Sequence, residues 1–134
     1  MFVDACAIIS IIAREDTATA YRAALDQAPE RFTSPLAAWE AVLVMSRPDQ
    51  LDCAFTAAHA VVVQWLAENE IDLRDAGSPH DVLAHAVAVA EKIGVGKRGL
   101  SNFDCFHYAH AKAAEAPLLT LDRLLRQTDV ELAP

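Results

Sequence analysis

The sequence predicts an α/β protein in which helices cover both faces of a short, mainly parallel sheet. Short apolar runs that suit buried strands alternate with longer helical segments, and residues 118–121 (LLTL) are the clearest strand. Ser-Pro pairs at residues 34–35 and 78–79 indicate helix starts, because serine can cap a helix and proline fits its first turn. Strands that alternate with helices favour a parallel sheet covered on both faces. We expect one domain over all 134 residues.

The first half of the chain begins with apolar residues 1–4, which predict a short buried strand. The acidic pair at 15–16 separates two helical segments, and Pro48 ends the helix that the first Ser-Pro pair opens. The expected helices lie at residues 7–14, 17–28, 34–47 and 51–68, and further strands at 31–33 and 71–73.

In the second half, the Ser-Pro pair at 78–79 opens a helix that runs to residue 93. Residues 94–99 (GVGKRG) are expected to form a flexible basic loop because three of the six are glycine. Asn102 is expected to cap a helix over 103–115, which Pro117 follows. Residues 118–121 and 130–132 are the last expected strands.

The composition indicates a folded protein of the cytoplasm. Hydrophobic residues make up 54% of the chain, yet no apolar run reaches the ~18 residues of a membrane span, and no signal peptide is evident. The three cysteines form no CxxC pair, which favours reduced thiols. The formal charge of −8 argues against broad attraction to nucleic acid, so an enzyme acting on nucleic acid would need metal ions and a local basic patch.

Four acidic side chains stand beside apolar residues at expected strand ends or in expected helices: Asp4, Glu40, Asp104 and Asp122. In an open α/β sheet the carboxyl ends of the strands border the ligand crevice. Two carboxylates about 4 Å apart repel by roughly 4 kcal/mol at an effective dielectric near 20, so converging acids take up protons or a cation. An all-oxygen set of ligands suits Mg²⁺ or Mn²⁺ better than Zn²⁺.

Each acid also has a structural explanation of its own. Asp4 can cap the following helix, Asp104 favours the positive N-terminus of its helix, and Asp122 suits a turn. Glu40 can be a solvated helical residue, although its neighbours at helical spacing are apolar. The metal-site hypothesis therefore depends on convergence of the four acids, which the expected topology suggests and sequence spacing alone does not establish.

Four segments carry a family resemblance: residues 2–7 (FVDACA), 39–40 (WE), 99–105 (GLSNFDC) and 118–122 (LLTLD). Their order and spacing resemble those of PIN-domain ribonucleases and, more narrowly, of VapC toxins from bacterial toxin–antitoxin pairs. The resemblance implies a single PIN-like α/β/α sandwich over residues 1–134. It also implies a Mg²⁺- or Mn²⁺-dependent endoribonuclease that acts on RNA, usual homodimerisation and inhibition by a VapB-type antitoxin. By matching motif, it gives catalytic and metal-site roles to Asp4, Glu40, Asp104 and Asp122.

Two residues depart from the family pattern. Cys6 stands where the family often has serine or threonine, and Asp104 lacks the glycine that commonly precedes it. Neither departure removes a proposed ligand. Asp129 offers a further carboxylate that could bind a second ion, but a role in the expected last strand explains it equally well.

Basic and histidine side chains supply further candidates. Arg47, Lys97 and Arg98 are candidate RNA-binding residues because basic side chains contact phosphates, and ordinary solvated positions explain them equally well. His107 and His110 follow Asp104 at three-residue steps. The three positions span about 600° of helical rotation and cannot share one tight face. We therefore expect the two histidines at polar surface or partner-facing positions.

Three functions other than a ribonuclease are compatible with an acidic α/β protein. An aspartyl-phosphate phosphatase requires a second aspartate in a DxD motif, which residues 4–6 (DAC) lack. A response-regulator receiver requires a phosphoryl-binding lysine after a late strand, and the sequence places none there. A catalytically silent binding module that keeps the fold remains the alternative.

Overall fold

A computed structural model, which describes residues 1–133, contains a sheet of four parallel strands in the order β3-β2-β1-β4. The strands are β1 (Phe2–Val3), β2 (Phe32–Thr33), β3 (Asp72–Leu73) and β4 (Leu118–Leu119). The predicted α/β class is confirmed, with a strand at each of the first four expected places. The strands are short because capping residues Asp4 and Ser34 start helices directly after β1 and β2.

The register of the sheet divides its side chains between two cores. Phe2 pairs with Phe32 on one side and with Leu118 on the other, while Val3 pairs with Leu119. Successive side chains of a strand point to opposite faces, so Phe2 and its partners enter one apolar cluster and Val3 and Leu119 enter the other.

Helices cover both faces of the sheet. They are α1 (Ala5–Ala13), α2 (Ala18–Gln27), α3 (Pro35–Met45), α4 (Phe55–Glu68), α5 (Pro79–Ile93) and α6 (Asn102–Ala113). Helices α1 to α4 supply most of the core around Val3, whereas α5 and α6 supply most of the helical residues in the core around Phe2. The result is three layers, α/β/α. None of these helices is both long and apolar enough to cross a membrane.

Two predicted helix starts and one predicted strand were wrong. Ser101, and not Asn102, caps α6: its Oγ accepts the Asp104 N–H at 3.0 Å, while the Asp104 carboxylate accepts the Ser101 N–H at 2.9 Å. Helix α4 begins at Phe55 and not at residue 51, because residues 50–52 form a turn in which the N–H groups of Gln50 and Asp52 donate to the Arg47 carbonyl. Residues 130–132 contribute a single bridge from Leu132 to β4 and no strand of their own.

The basic loop between α5 and α6 is a hydrogen-bonded turn. Gly96 N–H donates to the Leu100 carbonyl at 3.1 Å, and Leu100 N–H donates to the Gly94 carbonyl at 2.9 Å. The turn brings Gly99 so close to Gly94 that a Cβ atom on Gly99 would lie 2.3 Å from the Gly94 carbonyl. Glycine is therefore required at position 99, and the turn fixes where α6 begins.

Candidate metal centre

The four predicted acids come from four elements that start at or cross the carboxyl edge of the sheet. Asp4 follows β1 and caps α1, and Asp122 lies just after β4, the neighbour of β1. Glu40 lies in the second turn of α3, which begins directly after β2. Asp104 lies in the first turn of α6. We refer to Asp4, Glu40, Asp104 and Asp122 as the acid cluster.

Thr120 links two members of the acid cluster. Its hydroxyl donates to Asp4 Oδ2 at 2.6 Å and accepts the backbone N–H of Asp122 at 3.1 Å. Both Thr120 and Asp4 are buried, at 4% and 2% exposure. A buried carboxylate is costly unless hydrogen bonds compensate it, and the threonine supplies one of these bonds.

His107 links a third acid to the first. Its Nε2 lies 2.6 Å from Glu40 Oε2 and 3.7 Å from Asp4 Oδ1, and its side chain is fully buried. The expectation of a surface position for the two histidines was wrong, because α6 turns both toward the sheet. His110 is also buried, and its ring stacks on Phe2 with centroids 6.0 Å apart.

Burial alone would lower the pKa of His107, but the hydrogen bond to Glu40 and the charges of Asp4, Glu40 and Asp104 outweigh it and raise that pKa. Nε2 therefore lies among carboxylates that favour the protonated form of the ring. Its Nδ1 has no hydrogen-bond partner among residues 1–133, so its polar contacts all point to the acid cluster.

Asp104 lies one helical turn before His107, on the same side of α6. Burial raises the pKa of Asp104, the hydrogen bonds from Ser101 act against that rise, and the charges of Asp4 and Asp122 add to it. Asp104 therefore lies within electrostatic reach of acids on two other elements. Direct contacts through Thr120 and His107 join only Asp4, Asp122 and Glu40.

The structural explanations for the individual acids also hold. Asp4 accepts the N–H of Cys6 at 3.3 Å, and Asp104 belongs to the capping box of α6. Asp122 Oδ1 accepts the N–H groups of Leu124 and Leu125, at 2.8 and 3.0 Å, and thereby starts a 3-10 helix over Leu125–Gln127. Three of the four acids are therefore anchored by backbone amides.

The remaining oxygens decide whether the cluster suits a metal ion. Glu40 Oε1, Asp104 Oδ1 and Asp122 Oδ2 accept no hydrogen bond within residues 1–133. Free carboxylate oxygens are the ligands that Mg²⁺ and Mn²⁺ prefer, so the donor set fits these ions. Within the same residues, no three His, Cys, Asp or Glu side chains lie close enough to hold an ion as they stand. Like charges separate without a cation, so binding requires the free oxygens to turn toward one another.

Cys6 extends the network around Asp4. Its Sγ lies 3.1 Å from Asp4 Oδ2, 3.1 Å from the Tyr21 hydroxyl and 3.4 Å from Thr120 Oγ1. Burial, reinforced by the charge of Asp4, raises the pKa of this thiol well above its ordinary value. Cys6 is therefore a neutral thiol that can donate to Asp4, as a serine or threonine would. Tyr21 completes the network by accepting the N–H of Leu121 at 3.0 Å.

Sequence analysis missed His107, Thr120 and Tyr21 as neighbours of the acids. The spacing of three residues between Asp104 and His107 was the available signal, because such residues are neighbours on a helix surface. Asp104, His107 and His110 cannot all share one tight face of the helix, but Asp104 and His107 as a pair can. No comparable spacing signal connects Tyr21 to the acids, since α2 and β4 meet only in the folded chain.

The other predicted residues lie outside the cluster. Lys97 and Arg98 are exposed on the turn before α6. Arg47 is exposed just past the far end of α3, a helix about 15 Å long that leads away from the carboxyl edge. Asp129 accepts the Tyr108 hydroxyl at 2.7 Å and pairs with Lys112 at 3.4 Å, so its contacts tie the C-terminal segment to α6.

A cavity of about 720 Å³ lies at the opposite edge of the sheet. Met1, Phe32 and Pro117 line it near the amino ends of their strands, and none of the acid cluster does. Its size alone does not make it the site, because the joined carboxylates lie elsewhere.

Comparison with known proteins gives one family match. The family model of the PIN domain matches residues 1–131, nearly the whole chain. No curated protein shows significant similarity to the chain.

Proposed function

The chain belongs to the PIN domain family, and from this we propose that it is a metal-dependent endoribonuclease that hydrolyses RNA phosphodiester bonds. Membership of the family supports a nuclease-type function. The observation that carries the proposal is the joining of Asp4, Asp122 and Glu40 at the carboxyl edge of the sheet, through Thr120 and His107. Asp104 lies one helical turn from His107 on α6. Such an edge is where α/β proteins bind their ligands.

In the proposed reaction the acid cluster holds Mg²⁺ or Mn²⁺. An ion bound there would supply an activated water and would stabilise negative charge on the phosphate. Asp4 and Asp122 are kept in register by Thr120, while the backbone N–H of Ser101 fixes Asp104. Burial of Asp4 and Thr120 excludes water from the inner side of the cluster, so the free oxygens toward the rim are the ones that meet the ion and the RNA.

The proposed RNA contact outside the cluster is the turn that carries Lys97 and Arg98. Both side chains are exposed, and the turn directly precedes α6, whose capping box is formed by Ser101 and Asp104. Basic side chains there can bind phosphates that flank the cleaved bond. Arg47 is the third proposed phosphate contact, and it lies farther from the acid cluster because it follows the far end of α3.

The narrower proposal is a VapC-type toxin that acts in the cytoplasm as a homodimer and is neutralised by a VapB-type antitoxin. A groove of about 300 Å³ between α1, α2 and α4 suits a helical segment of such a partner, because Ile12, Val61 and Trp65 line it together with Arg22. The formal charge of −8 and the acid cluster favour a partner with a basic side chain that reaches the acids.

Brief expression followed by mapping of RNA ends tests this proposal. We expect new 5′ ends at defined sites with the native chain and none with Asp104→Asn. Asp129→Asn should give the same ends as the native chain, because the Asp129 carboxylate accepts a hydrogen bond from Tyr108 outside the cluster. Co-purification with the product of an adjacent reading frame tests the antitoxin. Identical RNA ends in the native chain and Asp104→Asn would refute the nuclease, whereas cleavage without a neutralising neighbour would refute the toxin role alone.

A catalytically silent binding module is the second candidate. It is favoured by the finding that no three possible ligands in residues 1–133 are close enough to hold an ion as they stand. A silent module would bind a partner through the α1–α2–α4 groove, yet leave RNA intact at any Mn²⁺ concentration. Metal-dependent cleavage by the purified chain, lost in Asp4→Asn, distinguishes the two.

A further inference from the structure

We propose that His107 is a positioning residue that holds the Glu40 carboxylate in place for metal binding. The inference rests on the proposed metal-dependent function and adds a residue to it. His107 is outside the four acids that the family resemblance identifies, and it acts through Glu40 and not on the substrate.

Glu40 differs from the other three acids in how it is held. Asp4, Asp104 and Asp122 each accept at least one backbone N–H near a helix start. Glu40 lies inside α3, where the backbone amides are used within the helix, and its one hydrogen bond among residues 1–133 is to His107. A long glutamate side chain that is one-quarter exposed loses rotamer freedom when it is fixed. An anchor is therefore needed, and His107 is the anchor.

The histidine is itself rigidly placed. Its side chain is fully buried, and the rings of Phe2 and Phe103 lie beside it with centroids 6.0 and 6.4 Å away. Its Nδ1 makes no hydrogen bond within residues 1–133, so no other polar contact competes for the ring. Packing thus fixes the direction in which Nε2 points, and Nε2 points to Glu40 at 2.6 Å.

In this arrangement the two oxygens of the Glu40 carboxylate have different roles. Oε2 is bonded to the imidazole, and Oε1 stays free to serve as a ligand. The 3.7 Å approach of Nε2 to Asp4 Oδ1 also places a donor between two carboxylates that would otherwise repel. Groups that orient a ligand in this way typically contribute about 10–100-fold to metal affinity.

Mn²⁺ titration of the metal-free protein, followed by electron paramagnetic resonance of the free ion, tests the role without relying on activity. His107→Leu should weaken Mn²⁺ binding about 10–100-fold. His107→Gln, whose amide reaches as far as Nε2, should keep most of the affinity, and His107→Asn, which is too short, should not. In a Glu40→Gln background, His107→Leu should add little further loss, because the carboxylate that it positions is absent.

Thermal melts identify any variant that does not fold, and the Gln–Asn comparison replaces the leucine variant in that case. Unchanged or tighter Mn²⁺ binding by His107→Leu would overturn the positioning role, as would an equal loss in the native and Glu40→Gln backgrounds. Absence of Mn²⁺ binding by the native chain would instead refute the proposed metal-dependent function, and this inference with it.

Discussion

Substitution of Asp104 separates the structural role of this side chain from its proposed role as a ligand. One oxygen, Oδ2, accepts the Ser101 N–H in the capping box, and the other oxygen is free. Ser101→Ala is the matched perturbation, because it breaks the same capping box from its other side and leaves the carboxylate in place. The two variants therefore share a loss of capping and differ in the loss of a possible ligand.

The expected stabilities follow from these contacts. Ser101→Ala removes the hydrogen bond to Asp104 N–H and should cost about 1 kcal/mol of unfolding free energy. For a domain of 134 residues this lowers Tm by roughly 4 °C. Asp104→Asn also weakens the cap, but it removes a charge that burial and the charges of Asp4 and Asp122 disfavour, as the raised pKa of Asp104 indicates. The two effects oppose each other, so the metal-free Asp104→Asn variant should melt close to the native protein.

RNA cleavage should rank the two variants in the opposite order, with Asp104→Asn the more impaired. Measured at a temperature where every variant is folded, Asp104→Asn should reduce RNA cleavage by about 100-fold or more, as loss of a key electrostatic group does. Ser101→Ala should cleave nearly as well as the native chain. An equal loss of cleavage in both variants would show that Asp104 matters only through the helix cap, and the reasoning would fail.

Three further variants test other parts of the molecule. Joint replacement of Lys97 and Arg98 by alanine should weaken RNA binding and flatten its salt dependence in titrations at several salt concentrations, whereas an unchanged slope would remove the turn from the RNA site. Gly99→Ala should destabilise the same turn by about 1–3 kcal/mol in urea unfolding, because its Cβ has no room; a native-like midpoint would contradict that steric argument. The hydrogen bond from Tyr108 lowers the pKa of Asp129, so this carboxylate stabilises the fold above its unfolded pKa and loses that effect as pH falls through the folded pKa. Unfolding of Asp129→Asn should accordingly depend less on pH in the acid range, and an unchanged acid profile would argue against the bond.

The sequence predicted the fold well because its signals were local. The Ser-Pro helix starts at residues 34–35 and 78–79 were both confirmed, with Ser34 and Ser78 accepting backbone N–H groups in α3 and α5. One error, the cap of α6, came where a neighbouring residue offered an equally suitable cap. Ser101 and Asn102 are both good caps, and only the reciprocal bond from Asp104 favours Ser101.

The candidate site could be predicted less completely. The four acids were identified because strand ends and a family motif marked them, and the strand order places the ends of β1, β2 and β4 side by side. Their links through Thr120 and His107 depend on side-chain directions that no single segment specifies. His107 was misplaced because polar residues are mostly exposed, and its burial is compensated by carboxylates from distant parts of the chain.

The most direct test of the proposed function is cleavage of RNA by the purified chain at increasing Mn²⁺, with chelator and with Asp4→Asn as the controls. Asparagine at position 4 can still accept the Cys6 N–H and cap α1, so the variant should fold. It removes the buried carboxylate that lies 2.6 Å from the Thr120 hydroxyl and 3.7 Å from His107 Nε2. We expect Mn²⁺-dependent cleavage by the native chain, loss of cleavage with chelator, and a loss of about 100-fold or more in Asp4→Asn. Cleavage that persists in chelator, or that Asp4→Asn performs as well as the native chain, would contradict a metal-dependent site built from the acid cluster.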